Sequence, residues 1–452
     1  MASLNHPLEW YPQARRISRK IIMHVGPTNS GKTHHALKRL ESARRGIYCG
    51  PLRLLAFEIY ERMNHQGIGC NLITGEDRRL AEKDVPLLSA TIEMADFNAQ
   101  YDVAVLDEIQ MIGDTFRGHA WTDALLGLRA REVHLCGEPS AVPLVKRMME
   151  EVGDEVEVIE YQRLSRMELA TDSLQGDLTR LRRGDCLIAF SRKGIYQLKE
   201  YIEANTEHKC SVIYGSLPPE TRAQQARLFN DPESPNTVLV ASDAIGMGIN
   251  LSIGRVIFTA VHKFNGIHIT NLSLSSTRQI AGRAGRFGTE FNPGFATTVL
   301  ERDMPFLRDS IPTLPPLIGK AVVAPRVHQL EKFAHQVPQL PFTQMLNLLE
   351  IVADLGPDYT LGDIGLNPED FDFLDHLPMS VADKFMMSFA PIVTREPTGS
   401  EICKRMIRFH AYNQECYVSD LLSLPEEVPL GPGPLQLLEI YHKCLTCYLW
   451  LR

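Results

Sequence analysis

For its first 300 residues the chain alternates short, unbroken apolar runs with stretches whose apolar positions recur at helical spacing. The runs at 21–25, 47–49, 103–106 and 133–136 read as one series of strands. Those at 187–190, 212–214, 238–240, 256–258 and 297–300 read as a second. Continuously apolar strands separated by helix-length segments belong to parallel sheets covered on both faces. An acidic stretch at 151–163 divides the two series and reads as a weakly structured linker. The pattern therefore predicts two α/β lobes, over 1–160 and 161–305. Beyond them lies a proline-rich segment, IPTLPPLIGKAVVAPR, and then helical spacing in FTQMLNLLEIVADL, DKFMMSFA and PLQLLEIYHKCLTCYLWL. That predicts a mostly helical region over 306–452.

With 452 residues and 44% apolar composition the chain can build two or three cores. No run reaches the roughly 20 apolar residues of a membrane span, so a soluble protein with no membrane partner is expected. The opening MASLNHPLEW has no apolar signal core, and Pro7, Glu9 and Pro12 interrupt any import helix. The net charge of −8 argues against coating nucleic acid through bulk charge. Residues 1–60 depart from that balance, with ten Lys/Arg against three acids. Such an excess can line a phosphate track or form a solvated face, and charge alone does not choose. Nine cysteines without pairing spacing read as reduced, buried thiols. Cys444 and Cys447 form a CxxC with only His442 close by, which favours an ordinary apolar helix face over zinc.

The chemistry begins at Gly26-Pro27-Thr28-Asn29-Ser30-Gly31-Lys32-Thr33, between the apolar IIMHV and the helix-like ALKRL. It fits GxxxxGK[ST] in its strand–loop–helix setting. Backbone N–H groups and a helix N-terminus can cradle phosphates there, Lys32 can reach the β/γ-phosphates, and the Thr33 hydroxyl can bind Mg²⁺. A second apolar strand, VAVL, delivers Asp107 for the metal and Glu108 to orient an attacking water. A phosphate loop and an acidic pair also occur in nucleoside kinases of the type II thymidine kinase kind, so the second half must decide. It carries Gln279-Ile280-Ala281-Gly282-Arg283-Ala284-Gly285-Arg286. Two arginines three apart fall on one helical face, and the glycines permit close approach of another lobe. Arginines entering an ATP site from a second lobe stabilise the transition state. Before them, VLVASDAIGMGIN ends a strand in small and polar residues. Asp243 and Gly246 there suit nucleotide contact, and Ser242 suits a phosphate backbone.

The set GPTNSGKT, DEIQ, ASDAIGMGINL and QIAGRAGR resembles superfamily-two DExH-type helicases, in the same order. The resemblance is closer still to the mitochondrial degradosome RNA-helicase family of the "suppressor of var" type. It runs through EWYPQAR, YCGPLRLLAFEIYERM, TGED, DEIQMIGD, VHLCGEPSAV and IYGSLPPETRAQQARLFNDP to LWLR, more weakly in the last third. It implies two tandem RecA-like P-loop lobes, ATP with Mg²⁺, and movement along RNA, single-stranded and duplex, in the 3′→5′ sense. DNA duplexes remain open as substrates. It also implies a mitochondrial matrix location, a role in RNA degradation, and an exoribonuclease or polynucleotide phosphorylase as partner. Pro51, Leu52, Arg53, Thr74, Gly75 and Thr91 would contact the RNA backbone from the first lobe. Ser191, Arg192, Tyr214, Gly215 and Ser242 would do so from the second. Gly137-Glu138-Pro139 stands where helicases couple hydrolysis to movement. The compact VIFTAVHKFNGIHITNLSLSST departs from relatives with a longer insertion. Its Asn265-Gly266 signals a two-residue hairpin that would carry Phe264 or His262 as a duplex wedge, or serve as an ordinary sheet turn. The competing expectations are a nucleoside kinase, and an RNA-binding scaffold without activity.

Overall fold

The computed structural model describes residues 6–75, 77–215, 217, 219–246, 250–264, 268–285, 288, 291–363, 371–393, 396–424 and 432–451. All nine expected strands form. The first lobe is built on an eight-stranded sheet of β1 (Lys20–Val25), β2 (Gly46–Gly50), β3 (Cys70–Ile73), β4 (Arg78–Arg79), β5 (Leu87–Thr91), β6 (Gln100–Leu106), β7 (Arg129–Gly137) and β8 (Glu155–Glu160). Its order is β4-β3-β5-β2-β6-β7-β1-β8, parallel except where β4 meets β3. Helix α1 (Lys32–Glu41) lays Ala36, Leu37 and Leu40 over Tyr48, Val103, Val105 and Cys136 of the sheet. A helix so placed covers a face that cannot meet water.

The acidic stretch at 151–163 is not weakly structured. Residues Glu155–Glu160 pair in parallel with β1, from Lys20 with Glu155 to Val25 with Glu160. Glu155 and Glu157 point outward and hide the strand in a charged sequence, with Lys20 Nζ on Glu157 Oε2 at 2.7 Å. Charge on an outer strand also blocks further edge pairing. The connector between lobes shrinks to 161–166.

The second lobe is a fully parallel six-stranded sheet, in the order β11-β12-β10-β13-β16-β9. Its strands are β9 (Met167–Leu169), β10 (Asp185–Ile188), β11 (Cys210–Ile213), β12 (Val238–Ala241), β13 (Arg255–Phe258) and β16 (Gly294–Thr298). Alternate residues feed two cores, as the two-residue strand period requires. Cys186, Ile188, Leu239, Val256 and Phe258 pack on one face, and Leu187, Val238, Val240 and Ile257 on the other. Leu54, from α2 (Arg53–His65) of the first lobe, joins the former core. Between β13 and β16, β14 (His262–Phe264) and β15 (Ile269–Asn271) form the expected hairpin. Phe264 pairs with Ile269, so four residues connect the strands rather than two. Asn265 and Gly266 lie outside the described residues. Helix α3 (Gly118–Gly127) lies between β6 and β7, α4 (Val142–Val152) precedes β8, and α5 (Arg192–Asn205) and α6 (Pro219–Asn230) follow β10 and β11. After them come α7 (Leu274–Ala281) and α8 (Met304–Ser310).

Both lobes belong to one compact unit, Trp10–Gly113 with Ala120–Ala321. The second lobe continues past 305, because α8 buries Leu307 against its core. The other unit joins Met1–Glu9, Asp114–His119 and Val322–Arg452. It is mostly helical, with helices Val327–Gln336, Phe342–Val352, Val381–Ser388, Pro397–Ala411 and Pro432–Leu451. Cys444 and Cys447 are buried there with Cys403, Met406 and Ile440 in an apolar cluster. All nine cysteines are free, eight of them buried. No helix among the described residues is long and apolar enough to cross a membrane.

Candidate active site between the two lobes

The phosphate loop connects β1 to α1. Asn29 and Gly31 take left-handed backbone, at φ of 59° and 82°. Gly31 is the N-cap of α1, and Lys32 and Thr33 form its first turn. Lys32 Nζ reaches only as far as Pro27 O, at 3.2 Å. The buried Ser30 Oγ has no hydrogen-bond partner. A buried hydroxyl left unsatisfied at the mouth of a helix N-terminus fits a phosphate group. Gly26 opens the loop, its N–H donating to Gly137 O at 3.1 Å.

The carboxyl end of β6 brings Asp107 opposite Thr33, whose Oγ1 donates to Asp107 Oδ1 at 3.3 Å. Tyr48 Oη donates to Asp107 Oδ2 at 3.1 Å, and Trp121 Nε1 to the Asp107 carbonyl at 2.9 Å. Burial, then the charge of Glu108, pushes the Asp107 carboxyl up to about 6, against the pull of Lys32. Thr33 and Asp107 form an all-oxygen pair of the kind Mg²⁺ accepts. Glu108 stands at φ 54°, a conformation disfavoured for a residue with a side chain. Its carboxylate accepts from Gln110 Nε2, and Gln110 Oε1 accepts from Glu138 N at 3.1 Å.

From the second lobe, α7 presents Gln279 to this acidic pair. Its Nε2 lies 3.5 Å from Glu108 Oε2 and 3.4 Å from Glu138 Oε1. Ser275, one turn earlier, donates to Glu138 Oε1 at 2.7 Å. Burial raises the Glu138 carboxyl, and the Ser275 bond opposes that rise. Helix α7 ends at Ala281, so Arg283 stands in the turn beyond rather than on a helical face. The C-cap Gly282 keeps ordinary right-handed backbone, and Gly285 turns the chain at φ 72°. The Arg283 guanidinium donates to Gly246 O at 3.2 and 2.5 Å. Burial lowers its pKa, while Glu108, Asp107 and Glu58 hold its charge. Arg286 lies outside the described residues. Gly282 meets the phosphate loop directly. A Cβ there would stand 2.9 Å from Thr28 Cβ, and Asn29 Nδ2 donates to its carbonyl at 3.4 Å. Asp243 is engaged by the hairpin, accepting Lys263 Nζ at 2.8 Å.

Comparison with known proteins decides the family. Residues 7–161 match the DEXQ-box helicase domain of Suv3, 167–288 the helicase conserved C-terminal domain, and 372–411 the Suv3 C-terminal domain 1. The ATP-dependent RNA helicase SUV3, mitochondrial, of Oryza sativa subsp. japonica is 42% identical over 452 residues, which cover 100% of this chain and 78% of that protein. The chain belongs to the Suv3 helicase family. The DExH-box ATP-dependent RNA helicase DExH18, mitochondrial, of Arabidopsis thaliana is 42% identical over 455 residues, 100% of this chain and 58% of its own length. The ATP-dependent RNA helicase SUPV3L1, mitochondrial, of Homo sapiens is 40% identical over 469 residues, again 100% and 58%. The chain thus spans between 58% and 78% of the length of these Suv3 relatives. A nucleoside kinase is excluded as the family.

The residues expected to grip RNA all lie at the carboxyl ends of strands in the Suv3 lobes. Pro51, Leu52 and Arg53 follow β2, Thr74 and Gly75 follow β3, and Thr91 ends β5. Arg53 Nη2 lies 4.0 Å from the place of a Cβ on Gly75. Ser191 caps α5, accepting from Gly194 N at 3.0 Å, and Arg192 opens that helix. Tyr214 Oη is 3.3 Å from Tyr196 Oη, Gly215 O accepts from Arg222 Nη2 at 2.6 Å, and Ser242 Oγ accepts from Ala244 N at 3.1 Å. Phe264 is 57% exposed on the hairpin. Sequence reasoning did not single out Tyr48, Trp121, Ser275 or Arg163. Tyr48 lies on β2, which is buried throughout, so its run of apolar residues does not set it apart.

Proposed function

We propose that this chain is an ATP-driven RNA helicase of mitochondria, acting in RNA degradation and surveillance with 3′→5′ polarity beside an exoribonuclease or polynucleotide phosphorylase. The observation that carries the reading is the seam between lobes, where Gln279 meets Glu108 and Gly282 packs on Thr28. ATP is the substrate of that seam. Gly26, Thr28, Asn29, Ser30 and Gly31 wrap its phosphates, and Lys32 neutralises the β/γ charge. Asp243 and Gly246 border the nucleotide from the second lobe. Thr33 and Asp107 would hold Mg²⁺, which supplies neutralisation of charge developing on the phosphate oxygens. Glu108 and Gln279 orient the attacking water, and Arg283 and Arg286 counter the transition-state charge from the second lobe.

Closure of the lobes shortens the distance between the two sets of RNA contacts, and hydrolysis releases it, giving one step per cycle. The gripping residues are hydroxyls, backbone groups and arginines suited to phosphates, so RNA stimulation should be independent of sequence and weaken with salt. The test is strand separation of RNA and DNA duplexes bearing 3′ or 5′ overhangs, with and without ATP. ATP-dependent separation of the 3′-tailed RNA duplex is expected. ATPase activity indifferent to RNA, or a preference for one short sequence that persists in high salt, would defeat the proposal.

A further inference from the structure

The connector at 161–166 runs between the phosphate loop and the turn that carries Arg283. Tyr161 N donates to Val25 O at 2.8 Å and Leu164 N to Asn29 O at 3.0 Å, tying the connector to the first lobe. Gly294 N donates to Arg166 O at 2.9 Å, and Ser165 Oγ donates to Gly285 O, tying it to the second. Arg163 sits where both sets converge. Its Nη1 donates to Thr28 O at 3.0 Å and to Gly282 O at 2.8 Å. Its Nη2 donates to Ala284 O, and its Nε to Ser165 O at 2.7 Å. One planar guanidinium thus gathers carbonyls from the phosphate loop, the Arg283 turn and the connector itself.

These partners are all neutral, and the residue is half-buried. Burial, with the charge of Arg283 nearby, draws the Arg163 pKa down to about 10, which leaves it cationic at neutral pH. A charge kept in such a place by carbonyls alone serves their arrangement. Gly282 lies between Gln279 and Arg283, so fixing its carbonyl fixes the direction in which both leave the helix end. Thr28 O accepts from the same guanidinium at 3.0 Å, so the phosphate loop is held by the side chain that holds the Arg283 turn.

We propose that Arg163 is a positioning residue for hydrolysis: a clasp that forms when the lobes meet and holds the Arg283 turn in register with the phosphate loop. Lysine cannot replace it, because a point charge lacks the fork that spans three segments. The inference rests on the helicase reading above and extends it to the connector.

The test compares wild type with Arg163→Lys and Arg163→Gln in the full chain. ATPase is measured at saturating single-stranded RNA, alongside KM for ATP, RNA affinity without nucleotide, and the melting temperature. The expectation is a fall in kcat of about 10²-fold in both variants, the size of a misplaced catalytic group. KM, nucleotide-free RNA affinity and melting temperature should stay close to wild type. A kcat within two-fold of wild type in both variants would overturn the clasp. So would a fall in kcat matched by an equal loss of melting temperature, or one restored by lysine. A wild-type chain without RNA-stimulated ATPase would instead defeat the helicase reading, so the two failures are distinguishable.

Discussion

Gln279 on the second lobe and Glu108 on the first stand with Nε2 and Oε2 3.5 Å apart, while the same amide lies 3.4 Å from Glu138 Oε1. An amide between two carboxylates can hold a water against one of them only when the lobes are together. Glu108→Gln keeps the shape and removes the charge that would take up the water's proton. Hydrolysis should fall by about 10²- to 10⁴-fold, the usual worth of a general base. Nucleotide affinity should persist, because Lys32 and Ser30 are untouched. Single-turnover hydrolysis beside nucleotide titration checks this, and an unchanged rate would remove Glu108 from the chemistry.

Gly282 tests the approach of the lobes without removing a polar group. A methyl there would stand 2.7 Å from Arg278 O and 2.9 Å from Thr28 Cβ, and neither neighbour is the end of a flexible chain. Gly282→Ala should therefore hold the lobes apart. We expect kcat lower by about 10²-fold, with the melting transition followed alongside because Ile280, Ala281 and Ala284 beside Gly282 belong to the core of the second lobe. Normal turnover in this variant would mean that the observed contact is not the one used in hydrolysis.

These contacts show which features a sequence can carry. The phosphate loop, Asp107-Glu108 and the GRAGR turn are legible because phosphate chemistry demands fixed residue types at fixed spacing. Nine strands of the two sheets are legible because burial on two faces leaves unbroken apolar runs such as 103–106 and 238–240, whereas β3, β4, β5 and β9 (CNLI, RR, LLSAT and MEL) are short or broken by polar residues and do not stand out. Strand β8 is hidden for the opposite reason, since an outer strand alternates Val156 and Val158 with glutamates. Arg163 is hidden because its acceptors are backbone carbonyls of its own connector and of two distant segments, which leave no mark in side-chain identity. The helical reading of Arg283 placed it on a face that α7, ending at Ala281, does not reach.

A buried histidine pair should make the first lobe sensitive to acid. His24 on β1 shares hydrogen bonds of 2.8 Å with Tyr161 Oη and with His134 Nδ1 on β7, and both imidazoles are 4% exposed. Burial, then the neighbouring His134, lowers the His24 pKa to about 4, and burial lowers that of His134 as well. Between pH 6.5 and 4 the unfolded chain binds a proton at His24 that the folded chain refuses. Stability is therefore full above pH 6.5 and declines as pH falls through that window, by about 3 kcal/mol at the lower end. His24→Gln should flatten the decline. Urea unfolding at pH 7.5, 6 and 5 measures it, and parallel pH profiles for the two proteins would refute the assignment.

The hairpin offers the clearest separation of motor from wedge. Phe264 is 57% exposed and its cross-strand partner Ile269 is 68% exposed, so two apolar side chains face water at one end of the ribbon. At the same strand, Lys263 holds Asp243 beside the turn that supplies Gly246 to Arg283. Such a ribbon can press an apolar edge on a terminal base pair while its base follows the nucleotide-dependent lobe. Stacking of one base on an aromatic ring is worth about 1–3 kcal/mol, so Phe264→Ala should slow duplex separation by about ten-fold or more. ATPase activity on single-stranded RNA should stay within about two-fold, because no duplex end is present to engage the side chain. Strand displacement and ATP turnover measured on the same preparations decide between the alternatives. Equal losses in both would make the hairpin part of the RNA grip, and no loss in either would leave it an ordinary turn of the second lobe.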